Sequence, residues 1–289
     1  VYKRQIRHNN QLNHAMVSIT AICDEEVLLK VVNWTRNDFY KILAAAFSSL
    51  GNQPRLAELG VLRGENAMVM YQTMQPSHMT LVDSWLALPP LPQLGAYSPF
   101  EKLPNWVSDP DVFADYFGGS MREQDTFDAL YEICCERFKA ISNVRLLRES
   151  TEIAFETLKA EGARFECVYV DANHQYEWVL RDLMLYQELV SPDGCIMLND
   201  CAFSNDGMRQ NLGVLEAVAH FIKRSPFRPI AMTVGAFADL ILVREGSRLE
   251  DLCDQLFVAS DVNWVEVPDQ LLGAAKVVTG ARKLNVSFI

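Results

Sequence analysis

The chain has 289 residues, 49% of them hydrophobic, and a formal net charge of −11. This composition can form one large domain or a domain with appendages, while the charge and the lack of a basic cluster argue against a nucleic-acid partner. No apolar run is long enough to span a membrane, and no apolar signal segment begins the sequence. Seven cysteines without metal-type spacing predict reduced thiols that fill the core of a cytoplasmic protein.

The first 50 residues show amphipathic patterns around residues 27–32 and 39–50. These patterns predict helices, so we interpret residues 1–50 as a helical cap. It would cover the sheet or the cofactor that the following segments predict.

The first motif with chemical meaning is Glu58-x-Gly60-x-x-x-Gly64, between an apolar, strand-like run and a helical pattern. The two glycines let the backbone bend sharply and approach a ligand, and the amides at the start of the helix face that ligand. The same spacing occurs in ordinary strand-to-helix turns. The prediction of a nucleotide-type cofactor loop therefore depends on the sequence that follows.

Further apolar runs follow, separated by helical patterns and each ending in polar residues, at 79–85, 143–150, 165–171 and 194–200. A helix predicted at 176–190 precedes the last run and ends at the turn signal 191–194. Alternating strands and helices predict a parallel sheet covered on both faces, with ligands at the carboxyl ends of the strands. The polar strand ends should therefore converge on one crevice.

Residues 86–120 form an unusually long connection that is rich in proline, glycine and aromatic residues. Loops of this length in compact domains are usually lids or binding loops. We interpret this insertion as a substrate lid or as a contact of a homo-oligomer. A surface excursion held by its own aromatic residues is the alternative.

After residue 200, a helix predicted at 213–222 precedes two apolar runs at 227–234 and 237–243. These runs are too close in sequence to pair in parallel, so they predict an antiparallel hairpin. Residues 246–289 are a C-terminal extension of unknown role, with candidate strands at 263–267 and 275–278.

Five predicted parallel strands followed by a helix and an antiparallel hairpin resemble the class I S-adenosylmethionine-dependent methyltransferase fold. This fold is an α/β, Rossmann-like doubly wound sheet. The resemblance covers about residues 40–245, with the domain itself at 51–245, and is carried by Glu58, Gly60, Gly64, Asp83, Asp171 and the turn at 192–194. Residues 171–177, 199–200 and 213–218 are similar to the small-molecule O-methyltransferase branch that includes macrocin O-methyltransferase-like enzymes. More distantly, these positions resemble catechol O-methyltransferase.

The resemblance implies that S-adenosylmethionine binds beside the glycine loop. Glu58 would order the loop of Gly60 and Gly64 near the amino group of the cofactor. Asp83, about 25 positions after Glu58, would accept hydrogen bonds from the ribose hydroxyls.

Four other residues complete the cofactor site that the resemblance implies. Ser84 and Trp85 would line the adenine side, and Ser150 would lie beside the ring. Asp171 would contact the cofactor from the end of the fourth strand. A plain core position is the alternative for Trp85.

The resemblance also implies a metal site at the ends of the fourth and fifth strands. Asp171, Asn199 and Asp200 offer only oxygen ligands, which suit Mg²⁺ or another hard cation. The macrocin-type pattern has a second acid where this chain has Asn199, so this site is less negative. Two interpretations stay open: a divalent cation at the three residues, or Asp171 capping a turn and Asp200 lining the cofactor pocket.

His174 lies three positions after Asp171, where the catechol-type pattern carries its basic residue. A histidine with a pKa near neutrality can accept a hydroxyl proton, so we predict that His174 and Asp171 are catalytic. The structural alternative is that His174 fixes the turn before Tyr176.

These residues together predict a methyltransferase that uses S-adenosylmethionine on a hydroxyl of a small-molecule acceptor, a reaction typical of natural product biosynthesis. A metal-independent enzyme that methylates nitrogen or carbon is the second interpretation. An NAD-dependent oxidoreductase is a remote one, because its three-glycine fingerprint is absent.

Overall fold

The computed structural model describes residues 28–87, 113–204, 207, 212–235, 237–260, 262–279 and 284–288. Most of the predicted insertion and the first part of the predicted cap lie outside these residues. The strands are β1 Leu28–Val32, β2 Arg55–Leu59, β3 His78–Asp83, β4 Val144–Arg148, β5 Phe165–Val170, β6 Val190–Leu198, β7 Phe227–Thr233, β8 Leu240–Arg244, β9 Trp264–Pro268, β10 Lys276–Thr279 and β11 Leu284–Ser287. The helices are α1 Arg36–Ser49, α2 Glu65–Met74, α3 Ala114–Phe117, α4 Gln124–Phe138, α5 Thr151–Ala160, α6 Tyr176–Tyr186, α7 Val214–Phe221, α8 Arg248–Ala259 and the 3₁₀ helix Asp269–Ala274.

The main sheet has the strand order β4-β3-β2-β5-β6-β8-β7-β1-β9. Strands β2 to β6 are parallel, and β8 runs antiparallel to both β6 and β7. The predicted doubly wound sheet with its antiparallel hairpin is therefore confirmed. Because the chain leaves β2 on one side and returns at β5 on the other, the order reverses between these two strands. Ligand crevices form at such a switch point, outside the carboxyl ends of the strands.

Helices cover both faces of the sheet. One apolar layer packs under α5, α6 and α7, and the other packs under α1, α2, α4 and α8. Neighbouring residues along a strand belong to opposite layers, as Val168 and Tyr169 show, because side chains alternate across a strand. The predicted role of cysteine as core filler is confirmed for the described ones: they are free, and all except Cys135 are buried.

The first strand corrects the sequence prediction. Residues 27–32 were expected to be helical, but Leu28–Val32 is a strand that pairs in parallel with β7 and antiparallel with β9. A run this short has no readable period, and its adjacent valines fit a strand once an open sheet edge is available. The sheet therefore continues through both predicted boundaries of the 51–245 domain.

Most other elements agree with the predictions. Helices α1, α6 and α7 confirm the predicted helical segments, and β9 and β10 confirm the two candidate strands. The turn signal at 191–194 was predicted to end the helix and start the strand, but the helix ends at Tyr186 and the signal lies inside β6, where the pairing with β5 is interrupted. No helix among the described residues has the length and apolar character needed to cross a membrane.

We expect Leu29→Ala to lower the free energy of unfolding by about 2–5 kcal/mol, because Leu29 is fully buried on β1. Val265→Ala on the paired strand β9 is the control, since that side chain is 66% exposed and its loss should change stability by less than about 0.5 kcal/mol. Urea unfolding of both variants measures the difference. Equal effects would show that β1 is dispensable for the fold.

Candidate active site

The glycine loop between β2 and α2 lies at the switch point of the sheet. Gly60 and Gly64 have φ values of +83° and +75°, a backbone region that favours glycine. A Cβ on Gly60 would lie 2.1 Å from the carbonyl oxygen of Asp171, and a Cβ on Gly64 would lie 2.7 Å from a ring carbon of Phe138. Both glycines are therefore required by conformation and by space. Helix α2 starts directly after Gly64, so its first amides are available to a ligand.

Asp83, the predicted ribose acceptor, holds this loop in place. Its Oδ2 accepts the backbone N–H groups of Val61 and Leu62 at 2.8 and 2.9 Å, and its Oδ1 accepts that of Trp85 at 2.9 Å. A carboxylate has about four acceptor positions. Asp83 therefore retains acceptor capacity at Oδ1, enough for one ligand hydroxyl where two had been predicted.

The predicted adenine-side residues have different environments. Trp85 is fully buried, donates its indole N–H to the carbonyl of Leu62 at 2.9 Å and packs against Tyr131. This environment matches the alternative given for Trp85, a core position, and differs from the predicted place on the adenine side. Ser150 caps α5 by accepting the N–H of Ile153 at 3.3 Å, and Ser84 is half-buried directly after Asp83.

Glu58 is a buried carboxyl with one oxygen unpaired. Its Oε1 accepts a hydrogen bond from the Asn66 amide at 2.8 Å, and Tyr40 donates to the oxygen of the same amide at 2.7 Å. Among the described residues, Oε2 has no partner. Burial, with a smaller contribution from the charge of Asp171, raises the pKa of Glu58 to about 8. A cationic ligand group would satisfy this oxygen and stabilise the charged form.

His174 lies between two carboxylates at the ends of β5 and β6. Its Nε2 is 2.9 Å from Oδ1 of Asp171 and 3.3 Å from Oδ2 of Asp200. Burial by itself lowers the pKa of His174, but the hydrogen bond to Asp171 and the charges of both acids outweigh it and raise the pKa above its ordinary value. The His174 side chain is 29% exposed, so a ligand can reach it.

Asp200 is the more deeply buried of these two acids. Asp200 is 7% exposed, and its Oδ1 has no hydrogen-bond partner among the described residues. Burial raises the pKa of Asp200 to about 6, although the positive charge of His174 opposes the shift. Asp171, His174 and Asp200 therefore lie together at the ends of β5 and β6, where the sequence predicted the polar residues to converge, and His174 contacts both acids.

Arg36 is a site residue that the sequence analysis missed. Its Nη2 donates to Oδ1 of Asn199 at 2.9 Å, its Nε is 3.3 Å from Oδ1 of Asp239, and its Nη1 is 3.8 Å from Oδ2 of Asp171. Asp239 is 5% exposed and also accepts the hydroxyl hydrogen of Tyr169 at 2.9 Å. Burial raises the pKa of Asp239 to about 6.

Topology explains why Arg36 and Asp239 reach this edge. Strand β1 is parallel to β7, so the segment after β1 emerges at the carboxyl ends of the parallel strands. Strand β8 is antiparallel to β6, so its first residues lie at the same edge. Asp239 had a signal in the sequence, a lone acid within the apolar run 237–243. Arg36 had none, because its neighbourhood was interpreted as a cap.

Of the three predicted metal ligands, Asn199 does not present a free oxygen to a cation. The oxygen of Asn199 accepts from Arg36, and its amide nitrogen is directed at Asp171 Oδ1, 3.4 Å away. A different set, Asp171, His174 and Asp200, offers one ligand atom each within 4.8 Å of one another. A cation there would use Nε2 of His174. A neutral imidazole that binds a cation through Nε2 carries its hydrogen on Nδ1, so Nδ1 could not also accept a proton.

The end of the predicted lid contacts the glycine loop. Arg63 of this loop donates to the carbonyl oxygen of Tyr116 at 2.7 Å, and its guanidinium lies over the Tyr116 ring. The part of the insertion that the structure describes is therefore adjacent to the expected cofactor.

We expect Gly60→Ala to destabilise the protein more than Gly51→Ala. Gly51 also has a positive φ, +75°, but an added Cβ would meet nothing within 4 Å, so its substitution measures backbone strain alone, about 1–2 kcal/mol. The Gly60 variant must in addition displace the carbonyl of Asp171. Urea unfolding compares the two, and equal losses would contradict the close approach.

A family model described as a methyltransferase domain matches residues 57–201. A comparison with curated proteins finds no match. Similar solved structures include an O-methyltransferase from Bacillus cereus in complex with SAH, with 13% identity, coverage of 74% of this chain and 83% of that chain, and a TM-score of 0.46. The O-methyltransferase TomG from Streptomyces achromogenes, involved in tomaymycin synthesis, has 14% identity, coverage of 72% and 80%, and a TM-score of 0.46. Similarity at this level carries no information on the acceptor.

Proposed function

This chain belongs to the methyltransferase-domain family, and on that premise we propose that it methylates a hydroxyl oxygen of a small molecule without a metal ion. The family match agrees with the predicted enzyme class, an S-adenosylmethionine-dependent methyltransferase. The proposed part is the acceptor oxygen, the base that deprotonates it and the independence from metal. The position of His174 between two carboxylates is the observation that carries the proposal.

The glycine loop suits a cofactor that is polar at one end and positively charged at the other. Free acceptor capacity at Oδ1 of Asp83 suits a ribose hydroxyl, and the amides at the start of α2 lie next to the loop. S-adenosylmethionine carries a sulfonium and an ammonium group. The unpaired Oε2 of buried Glu58 is a suitable acceptor for the ammonium.

His174 and its two acids, Asp171 and Asp200, are adjacent to that loop. The backbone N–H of Asp171 donates to the carbonyl of Leu59 at 2.8 Å, and the Asp171 carbonyl packs against Gly60. The side chain of Asp171 then contacts His174. An acceptor beside His174 would therefore lie next to the bound cofactor, as an in-line displacement requires.

Asp171 and Asp200 make the two imidazole nitrogens of His174 chemically different. Nε2 donates its hydrogen toward Asp171 and Asp200, which leaves Nδ1 as the basic nitrogen. Nδ1 would take the proton of the acceptor hydroxyl, and bound S-adenosylmethionine would supply the methyl group to that oxygen. The products are the methyl ether and S-adenosylhomocysteine. The acids stabilise the imidazolium until it loses its proton to solvent.

We expect Asp83→Ala to weaken S-adenosylmethionine binding by about 1–3 kcal/mol, because a hydroxyl loses a charged acceptor and the loop loses its brace. Isothermal titration calorimetry measures the affinity. Asp193→Ala is the matched control, since Asp193 pairs with Arg248 away from the loop. Unchanged affinity in a folded Asp83→Ala variant would contradict the ribose assignment.

We expect His174→Ala to lower methyl transfer by about 10² to 10⁴ with little change in cofactor affinity, the range for a positioned base. The assay follows S-adenosylhomocysteine formation with a panel of phenols and aliphatic alcohols, with and without EDTA. His78→Ala, at the opposite edge of the sheet, is the control. A His174→Ala variant with the wild-type rate would contradict the base role and favour the structural alternative, in which His174 fixes the turn before Tyr176.

A further inference from the structure

The carboxyl edge of the sheet concentrates negative charge. Asp171, Asp200 and Asp239 lie there, and Asp200 and Asp239 are more than nine-tenths buried. Among the described residues, the nitrogen-bearing side chains paired with these three acids are the permanently charged Arg36 and the protonatable His174. The resemblance described above implies a divalent cation among these acids.

The guanidinium of Arg36 is held firmly at this edge. Arg36 is the first residue of α1, and the N–H of the preceding Thr35 donates to the carboxylate of Asp38 at 3.1 Å, which fixes the start of the helix. The side chain is 28% exposed and directs separate nitrogens at Asp239, Asn199 and Asp171. It therefore bridges the ends of three strands.

A permanent positive charge in this position opposes the binding of a second cation. Arginine does not lose its proton in proteins. A divalent ion held by Asp171 and Asp200 would lie a few ångströms from the guanidinium, and repulsion at that distance is strong in a partly buried site. Arg36 also occupies the oxygen of Asn199, which the sequence pattern had assigned to the ion.

We infer that Arg36 is a positioning residue that takes the place of the divalent cation: it offsets the acids, orients Asn199 and Asp171, and keeps metal out. This inference rests on the proposed function. It also makes α1, which lies outside the family match at 57–201, a functional part of the active site.

The test uses Mn²⁺ as the probe and needs no acceptor. Electron paramagnetic resonance of free Mn²⁺ measures retention by the wild-type protein, Arg36→Met and Arg36→Lys. We expect Arg36→Met to bind one Mn²⁺ at least about tenfold more tightly than the wild type, because the opposing charge is gone. Arg36→Lys keeps the charge and should resemble the wild type.

Two further variants locate the effect. Arg55→Met removes a paired arginine at the opposite edge of the sheet and should leave Mn²⁺ binding unchanged. Arg36→Met combined with Asp200→Asn should lose the gained ion, because one ligand is removed. Circular dichroism and urea unfolding confirm that each variant is folded.

Tight stoichiometric Mn²⁺ binding by the wild type would overturn the inference, as would a folded Arg36→Met variant that gains no affinity for the ion. The proposed function fails in a different way, through absent S-adenosylmethionine binding or absent methyl transfer by the wild type. In the transfer assay, Arg36→Met should lower kcat at unchanged cofactor affinity, with partial recovery in Arg36→Lys. A purely structural role would instead alter stability without this recovery.

Discussion

The geometry of the candidate site depends on one constraint, the close approach of Gly60 to the backbone of Asp171. No side chain fits between them, since a Cβ on Gly60 would lie 2.1 Å from the carbonyl oxygen of Asp171. The contact lies at the point where the order of the strands reverses, between the parallel strands β2 and β5. It joins the loop expected to hold the cofactor to the strand end that carries Asp171 and, through it, His174. Separation of these two backbones would move the glycine loop away from Asp171 and His174.

Electrostatics shape the rest of the site. Burial raises the pKa values of Glu58, Asp200 and Asp239, which means that the folded protein holds carboxyls where their charged forms are disfavoured. Such groups persist when cationic partners accompany them. Arg36 is a partner of this kind within the chain, His174 becomes one when it is protonated, and a cationic ligand group would be a further one for Glu58. The unpaired Oε2 of Glu58 is therefore an oxygen at which a positively charged ligand group would fit.

The predictions that succeeded depended on residues close in sequence. The glycine loop, the polar strand ends and the spacing of Asp171 and His174 are local patterns, and a parallel sheet brings its strand ends together by geometry alone. Trp85 was placed on the cofactor side because it follows Asp83 directly. Its actual position depends on the packing of α4, which presents Tyr131 to the indole ring, and no local pattern encodes that contact.

The sequence by itself determined the class of fold, the glycine loop after β2 and the proximity of Asp171, His174 and Asp200, because strand period, glycine spacing and strand order suffice for these. Tertiary structure decided the remainder. Strand β1 pairs with β7, and only this pairing brings Arg36 to Asn199, 163 positions away in the chain. The orientation of the Asn199 amide and the raised pKa values follow from such distant neighbours. Hydrogen bonds and desolvation act through space, so they are settled only when the chain has folded.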